Sequence, residues 1–137
     1  MDAKIINIKG VTFIGKAKSN HWIALDGPEE FNGSEAATRP KELILIGLAG
    51  CSGSDVASIL SKMREKIQRF EIDVDSESAT EHPKVFTKIH LKYRFWGENL
   101  KKDNIEKAIA LSQDKYCSVT AMLKPKVEIE HSIEINS

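Results

Sequence analysis

The chain has 137 residues, of which 41% are hydrophobic and 29% charged, and its twenty basic and twenty acidic side chains cancel. This length fits one compact domain, 1–137, and the composition excludes a disordered chain. Zero net charge supplies no bulk electrostatic reason to bind nucleic acid or an anionic membrane, so neither is expected as a partner.

The N-terminal MDAKIINIKG is too polar for the apolar core of a secretory signal, and the longest apolar stretch, Leu43 to Cys51, falls short of a membrane span. The expected location is cytoplasmic. Two cysteines, Cys51 and Cys117, are too few for a disulfide scaffold and too far apart for a Cys-x-x-Cys clip. In a reducing cytosol a bond between them is expected to be transient and catalytic rather than structural.

Residues 4–25 alternate apolar and polar positions, which predicts two or three antiparallel strands with a turn at Lys18-Ser19-Asn20. Residues 26–39 are rich in glycine, acidic and small side chains and read as a loop, long enough to suspect a role in function. Pro40 then opens a helix, with Glu42 in its first turn, that runs to about Gln68. Its first half (Leu43, Ile44, Leu45, Ile46, Leu48, Ala49) is apolar almost all round, which predicts burial on every side. Its second half is amphipathic, with Val56, Ile59, Leu60, Met63 and Ile67 on one face. Gly47, Gly50 and Gly53 recur every third residue and cost helix stability, so another helix or strand is expected to approach closely there.

Residues 70–79 and 84–96 predict two strands, the second with a wet face of Lys88, His90, Lys92 and Arg94. Asp103 and Glu106 form a capping-box pattern for a second helix with an apolar stripe of Ile105, Ala108, Ile109 and Leu111. That helix ends near Tyr116. Cys117, a short turn or helix over SVTAML and a cleanly alternating last strand, VEIEHSIEI, complete the chain. Strands, long helix, strands, helix and strand make an α+β fold.

The ordinary state of a helical cysteine is an inert, buried thiol. Asp55 lies one turn beyond Cys51 on the same face, and a carboxylate there would raise the thiol pKa. A reactive Cys51 therefore calls for a cation: Arg39, Lys41, Lys115 or a residue of a partner subunit. Alternatively, Asp55 pairs with such a cation and leaves the thiol less perturbed. His21, His82, His90 and His131 show no metal-ligand spacing, and there is no phosphate loop, dinucleotide loop or serine nucleophile elbow. Ser52 and Ser54 flank Cys51 without a visible base. No metal and no cofactor are expected.

The run from Arg39 through Pro40, Lys41, Glu42 and Leu43 to Ala49, Gly50 and Cys51 resembles the central helix opening of the OsmC/Ohr family. Ser112 to Val119 is similar to the family's second-cysteine segment, the hairpin from His82 to Tyr93 also fits, and Asp55-Val56 resembles a less characterised branch. The likeness covers about residues 10–135. It implies an intertwined homodimer, with antiparallel sheets around long central helices that pack on one another and active sites at the subunit interface. It also implies a two-cysteine peroxidase. Cys51 would attack the peroxide oxygen, Cys117 would resolve the sulfenic acid as a disulfide, and an external thiol would reduce it. The peroxidase pattern departs in two places: Lys41 stands where the family has a catalytic glutamate, with Glu42 one residue later, and Phe31 stands where an arginine is expected. Arg39, Lys41, Glu42 and Asp55 are thus the candidates for tuning the two thiols. Two readings follow: a thiol-dependent hydroperoxide-reducing protein, or a non-enzymatic dimer that binds a small apolar ligand at the subunit interface.

Overall fold

The alternation in the first 25 residues forms three strands: β1 (Ala3–Lys9), β2 (Thr12–Ala17) and β3 (Ile23–Leu25), antiparallel in the order β1-β2-β3. They belong to a computed structural model of the chain, which describes residues 2–136 and falls into two compact units, Met1–Ile46 and Gly47–Ser137. The remaining elements are α1 (Pro40–Lys62), β4 (Ile67–Ser78), β5 (Phe86–Gly97), α2 (Lys102–Leu111), α3 (Ser118–Leu123) and β6 (Glu128–Asn136). Helix α1 begins in the first unit and ends in the second.

In the first unit the turn between β1 and β2 needs a glycine. Gly10 has φ +53°, and a Cβ there would lie 2.2 Å from the carbonyl oxygen of Asn32. The loop after β3 is organised by Asp26, whose side chain is 1% exposed. Its Oδ1 accepts the N–H groups of Gly27 (2.8 Å) and Ser34 (3.1 Å) and the hydroxyl of Thr12 (3.0 Å), and its Oδ2 accepts the N–H of Ala36 at 3.1 Å. Burial alone would raise this carboxyl, but the N–H groups of Gly27, Ser34 and Ala36 and the Thr12 hydroxyl outweigh it and bring its pKa down to about 2. A lowered folded-state pKa favours the folded loop above the unfolded carboxyl value of about 3.9 and loses that support as pH falls through about 2. Asp26→Ala is therefore expected to expose residues 27–38 to limited proteolysis at neutral pH, where the native loop resists. Wild-type protein is expected to show the same cleavage only below the folded-state pKa.

The start of α1 is also self-contained. Glu42 Oε1 accepts the backbone N–H of Arg39 at 2.8 Å, the return half of a capping box, and Arg39 Nη2 pairs with Glu35 at 2.7 Å.

In the second unit α1 stops at Lys62, about two turns before the sequence pattern suggests. Arg64 adopts φ +63°, and the N–H groups of Arg64 and Glu65 bond back to the carbonyls of Ser61 and Leu60. This is a Schellman termination with arginine where glycine is usual, so the usual stop signal is missing from the sequence. Ile67, read as helix, opens β4. The apolar first half of α1 is not buried on every side as its composition predicts. Ile44 and Ile46 are 44% and 58% exposed, and a Cβ at Gly47 or Gly50 would meet nothing within 4 Å. Gly53 does make the expected close approach, with Ile72 Cδ1 at 3.2 Å from the Cβ position. By length and mean hydropathy α1 is apolar enough to cross a bilayer, a test that the core helix of a soluble protein passes as well.

The second sheet has the order β4-β5-β6, with β4 and β5 antiparallel and β6 parallel to β5. The sheet is therefore mixed, because β6 returns from α3 rather than from a hairpin. Alternation in β5 buries Ile89, Leu91, Tyr93 and Phe95 completely, together with Leu48 and Val56 of α1 and Ile105, Ala108 and Ile109 of α2. The wet face of β5 pairs across both neighbours: Lys88 and His90 with Glu130, Arg94 with Glu134 and Asp73. Asp103 lies within the first turn of α2 instead of capping it. The residue before the helix is Lys101, whose N–H donates to Glu65 Oε1 at 2.6 Å.

Candidate active site

Five residues in a wide π turn, Ser112–Tyr116, continue from α2, and the turn closes with the N–H of Cys117 donating to the Ser112 carbonyl at 2.8 Å. That turn delivers Cys117 as the cap of α3, where its Sγ accepts the Thr120 N–H at 3.4 Å. Cys51 comes from α1. The two sulfurs and a carboxylate oxygen of Asp55 all lie within 4.8 Å of one another, from residues 66 positions apart in the chain. Both thiols are free; Cys51 is partly exposed and Cys117 is 3% exposed.

The two thiols are pushed in opposite directions. The Cys51 thiol is held below its ordinary pKa, first by the backbone N–H of Val119, and then, against the opposing effect of burial, by Cys117 and by the hydroxyl and N–H of Ser118. The Ser118 hydroxyl lies 3.9 Å from Cys51 Sγ. Burial pushes the Cys117 thiol up, and a neighbouring Cys51 thiolate adds to that. The sequence leaves open whether Asp55 or a cation would govern Cys51. The strongest influence is instead the main-chain N–H of Val119, in the first turn of α3, which no side-chain inventory reveals.

Below the sulfurs runs a buried chain of hydroxyls whose direction follows from donor counting. Asp55 Oδ2 only accepts, so Ser112 spends its single proton on it at 3.0 Å. In the 2.9 Å contact between Ser52 and Ser112, Ser52 must then donate. In the 2.6 Å contact between Ser52 and Tyr93, Tyr93 must donate. The relay therefore runs Tyr93 to Ser52 to Ser112 to Asp55. Gln113 Nε2 donates to both the Ser52 and Tyr93 oxygens at 3.1 Å, and its Oε1 accepts from Thr120 at 3.3 Å. Burial first of all pushes Tyr93 up to about 12, so its hydroxyl keeps its proton.

Arg39, Lys41 and Glu42 belong to the first unit, where Arg39 and Glu42 serve the helix start. Lys115 places its ammonium 5.1 Å from the Tyr116 ring centre. Sequence reasoning passed over Tyr93, Ser112, Gln113 and Thr120, and saw Ser52 only as a serine without a base. One signal was available: Ser52 stands on the same buried stripe as Val56 and Leu60, and a polar residue on such a stripe needs a partner.

The model of the family described as OsmC-like protein matches residues 32–132. The chain is similar to protein YhfA of Escherichia coli K12, at 39% identity over 98% of both chains. It is similar to the structure of a hypothetical protein from Aquifex aeolicus VF5, at 29% identity and a TM-score of 0.83 over 99% of this chain and 97% of that one. It shares its fold with an organic hydroperoxide resistance protein from Legionella pneumophila, at 18% identity and a TM-score of 0.72 over 97% of this chain and 95% of that one. With a mixed α+β architecture of two sheets and a long helix, and with the family model matched across both cysteines, the chain belongs to the OsmC-like family.

Proposed function

We propose that the protein reduces organic hydroperoxides with thiol electrons in the cytoplasm, using Cys51 as the attacking and Cys117 as the resolving cysteine. The observation that carries this reading is the convergence of two free sulfurs within 4.8 Å. The opposite pKa directions support the division of roles, because attack needs a thiolate and resolution can begin from a thiol. The name of the Legionella relative, an organic hydroperoxide resistance protein, supports the substrate class.

In the first step the Cys51 thiolate attacks the terminal peroxide oxygen, the O–O bond breaks, and the alkoxide leaves as an alcohol after taking a proton. Cys51 is left as a sulfenic acid. Cys117 then attacks that sulfur, the disulfide forms and water leaves. Two molecules of a small external thiol, or one dithiol, restore both cysteines and are oxidised to their own disulfide. The working form is a homodimer in which the uncovered apolar half of α1, with Ile44, Ile46, Gly47 and Gly50, packs against its counterpart.

The test is one equivalent of cumene hydroperoxide added to fully reduced protein without reductant. One equivalent of cumyl alcohol and a peptide pair linked through Cys51 and Cys117 are expected by mass spectrometry. Peroxide left unconsumed with both thiols still alkylatable would end this reading.

A further inference from the structure

The reduced site has a second chemical capacity that does not depend on peroxide. Two thiol sulfurs and a carboxylate oxygen converge within 4.8 Å, contributed by α1 and by the segment leading into α3. Tetrahedral zinc, with bonds of about 2.3 Å to sulfur and about 2.0 Å to oxygen, sets its donor atoms roughly 3.5–3.8 Å apart. Each pair of donors is therefore no more than about 1.3 Å wider than that spacing.

Each donor is also held from behind, as ligands in metal sites are. The Ser112 hydroxyl donates to Asp55 Oδ2, leaving the other carboxylate oxygen free of that bond. The Thr120 N–H donates to Cys117 Sγ, and the Val119 N–H is directed at Cys51. Bound as two thiolates and a carboxylate, the three donors together carry three negative charges. A dication supplies the missing charge. Two soft sulfurs select zinc over magnesium or calcium, which prefer all-oxygen sites.

We propose that the reduced protein binds Zn2+ through Cys51 Sγ, Cys117 Sγ and one oxygen of Asp55, with the fourth position open to water or an exogenous donor. Binding releases whatever protons the two thiols carry. A disulfide between Cys51 and Cys117 removes both sulfur donors, so zinc occupancy and the oxidised state exclude each other. Zinc thus shields the thiols from oxidation and alkylation, and oxidation ejects it.

The experiment uses the full reduced chain under anaerobic conditions. One equivalent of Co2+ is expected to give the visible bands of tetrahedral cobalt and an ultraviolet thiolate-to-cobalt band, both removed by Zn2+. Competition with a chromophoric chelator then gives the zinc affinity, and Asp55→Asn is expected to weaken it by about 10–100-fold. Should that variant fold poorly by circular dichroism, the deciding measurement is wild-type protein with Cys51 blocked by N-ethylmaleimide, which is expected to lose the thiolate band. Absence of the thiolate band in reduced wild type, zinc affinity unchanged in a folded Asp55→Asn variant, or a thiolate band surviving the block would each overturn the proposal. Zinc binding without peroxide consumption, or the reverse, separates this proposal from the catalytic one.

Discussion

Cys51→Ser is expected to lower hydroperoxide reduction to the uncatalysed rate, a loss on the order of a thousandfold or more, as for removal of any covalent nucleophile. Cys117→Ser is expected to behave differently. It should consume one equivalent of peroxide per chain and stop at a Cys51 sulfenic acid, which dimedone traps. The asymmetry follows from the environments. Cys51 is the partly exposed sulfur whose thiolate is favoured by the Val119 N–H, whereas Cys117 is buried and its thiolate disfavoured. The same argument fixes a pH dependence. A lowered pKa places the pH of half-maximal alkylation of Cys51, measured in Cys117→Ser, below that of an unperturbed thiol. Cys117, measured in Cys51→Ser, should react more slowly and reach half-maximum above that value. Equal rates and midpoints for the two cysteines would remove the basis for assigning separate roles.

Ser112→Ala is expected to cost about 3 kcal/mol of stability in urea unfolding, more than any other single truncation of the hydroxyl relay. Ser112 is wholly buried, and it both donates to Asp55 and accepts from Ser52. Without it a carboxylate loses a charge-assisted hydrogen bond. The Ser52 proton also loses its acceptor. Turning Ser52 toward Tyr93 does not help, because the Tyr93 proton is then stranded: Gln113 presents only its N–H groups there. Tyr93→Phe makes the contrast. It removes the head of the relay, the protons of Ser52 and Ser112 keep their acceptors, and only the Gln113 N–H aimed at Tyr93 loses one, so a smaller cost of about 1–2 kcal/mol is expected. A larger loss for Tyr93→Phe than for Ser112→Ala would mean that the relay runs the other way.

The sequence reading succeeded where periodicity carries the information. The alternation of β5, with buried Ile89, Leu91, Tyr93 and Phe95, and the apolar stripe of α2 were both legible. It failed where a boundary is set by backbone geometry. Arg64 ends α1 in a left-handed conformation usually taken by glycine, and α2 starts after Lys101, whose N–H is accepted by Glu65 from 36 residues away, rather than at Asp103. Neither is a local pattern. The direction of β6 was equally hidden, because alternation is the same for parallel and antiparallel strands. At the site, the family likeness singled out both cysteines. The supporting groups stayed unseen because Ser52 meets Tyr93 and Ser112 across 41 and 60 residues, and because the group acting most strongly on Cys51 is a main-chain N–H.

That last feature bears on how durable the site's reactivity is. A thiol governed by a lysine or arginine loses its activation when that one side chain is substituted, and loses part of it as added salt screens the pair. The Val119 N–H, the strongest of the influences on Cys51, is present with any side chain at that position other than proline, and salt screens a direct hydrogen bond little. The nucleophilicity of Cys51 is thus written into the path of the main chain. It should vary little with salt concentration for as long as the turn before α3 keeps its shape.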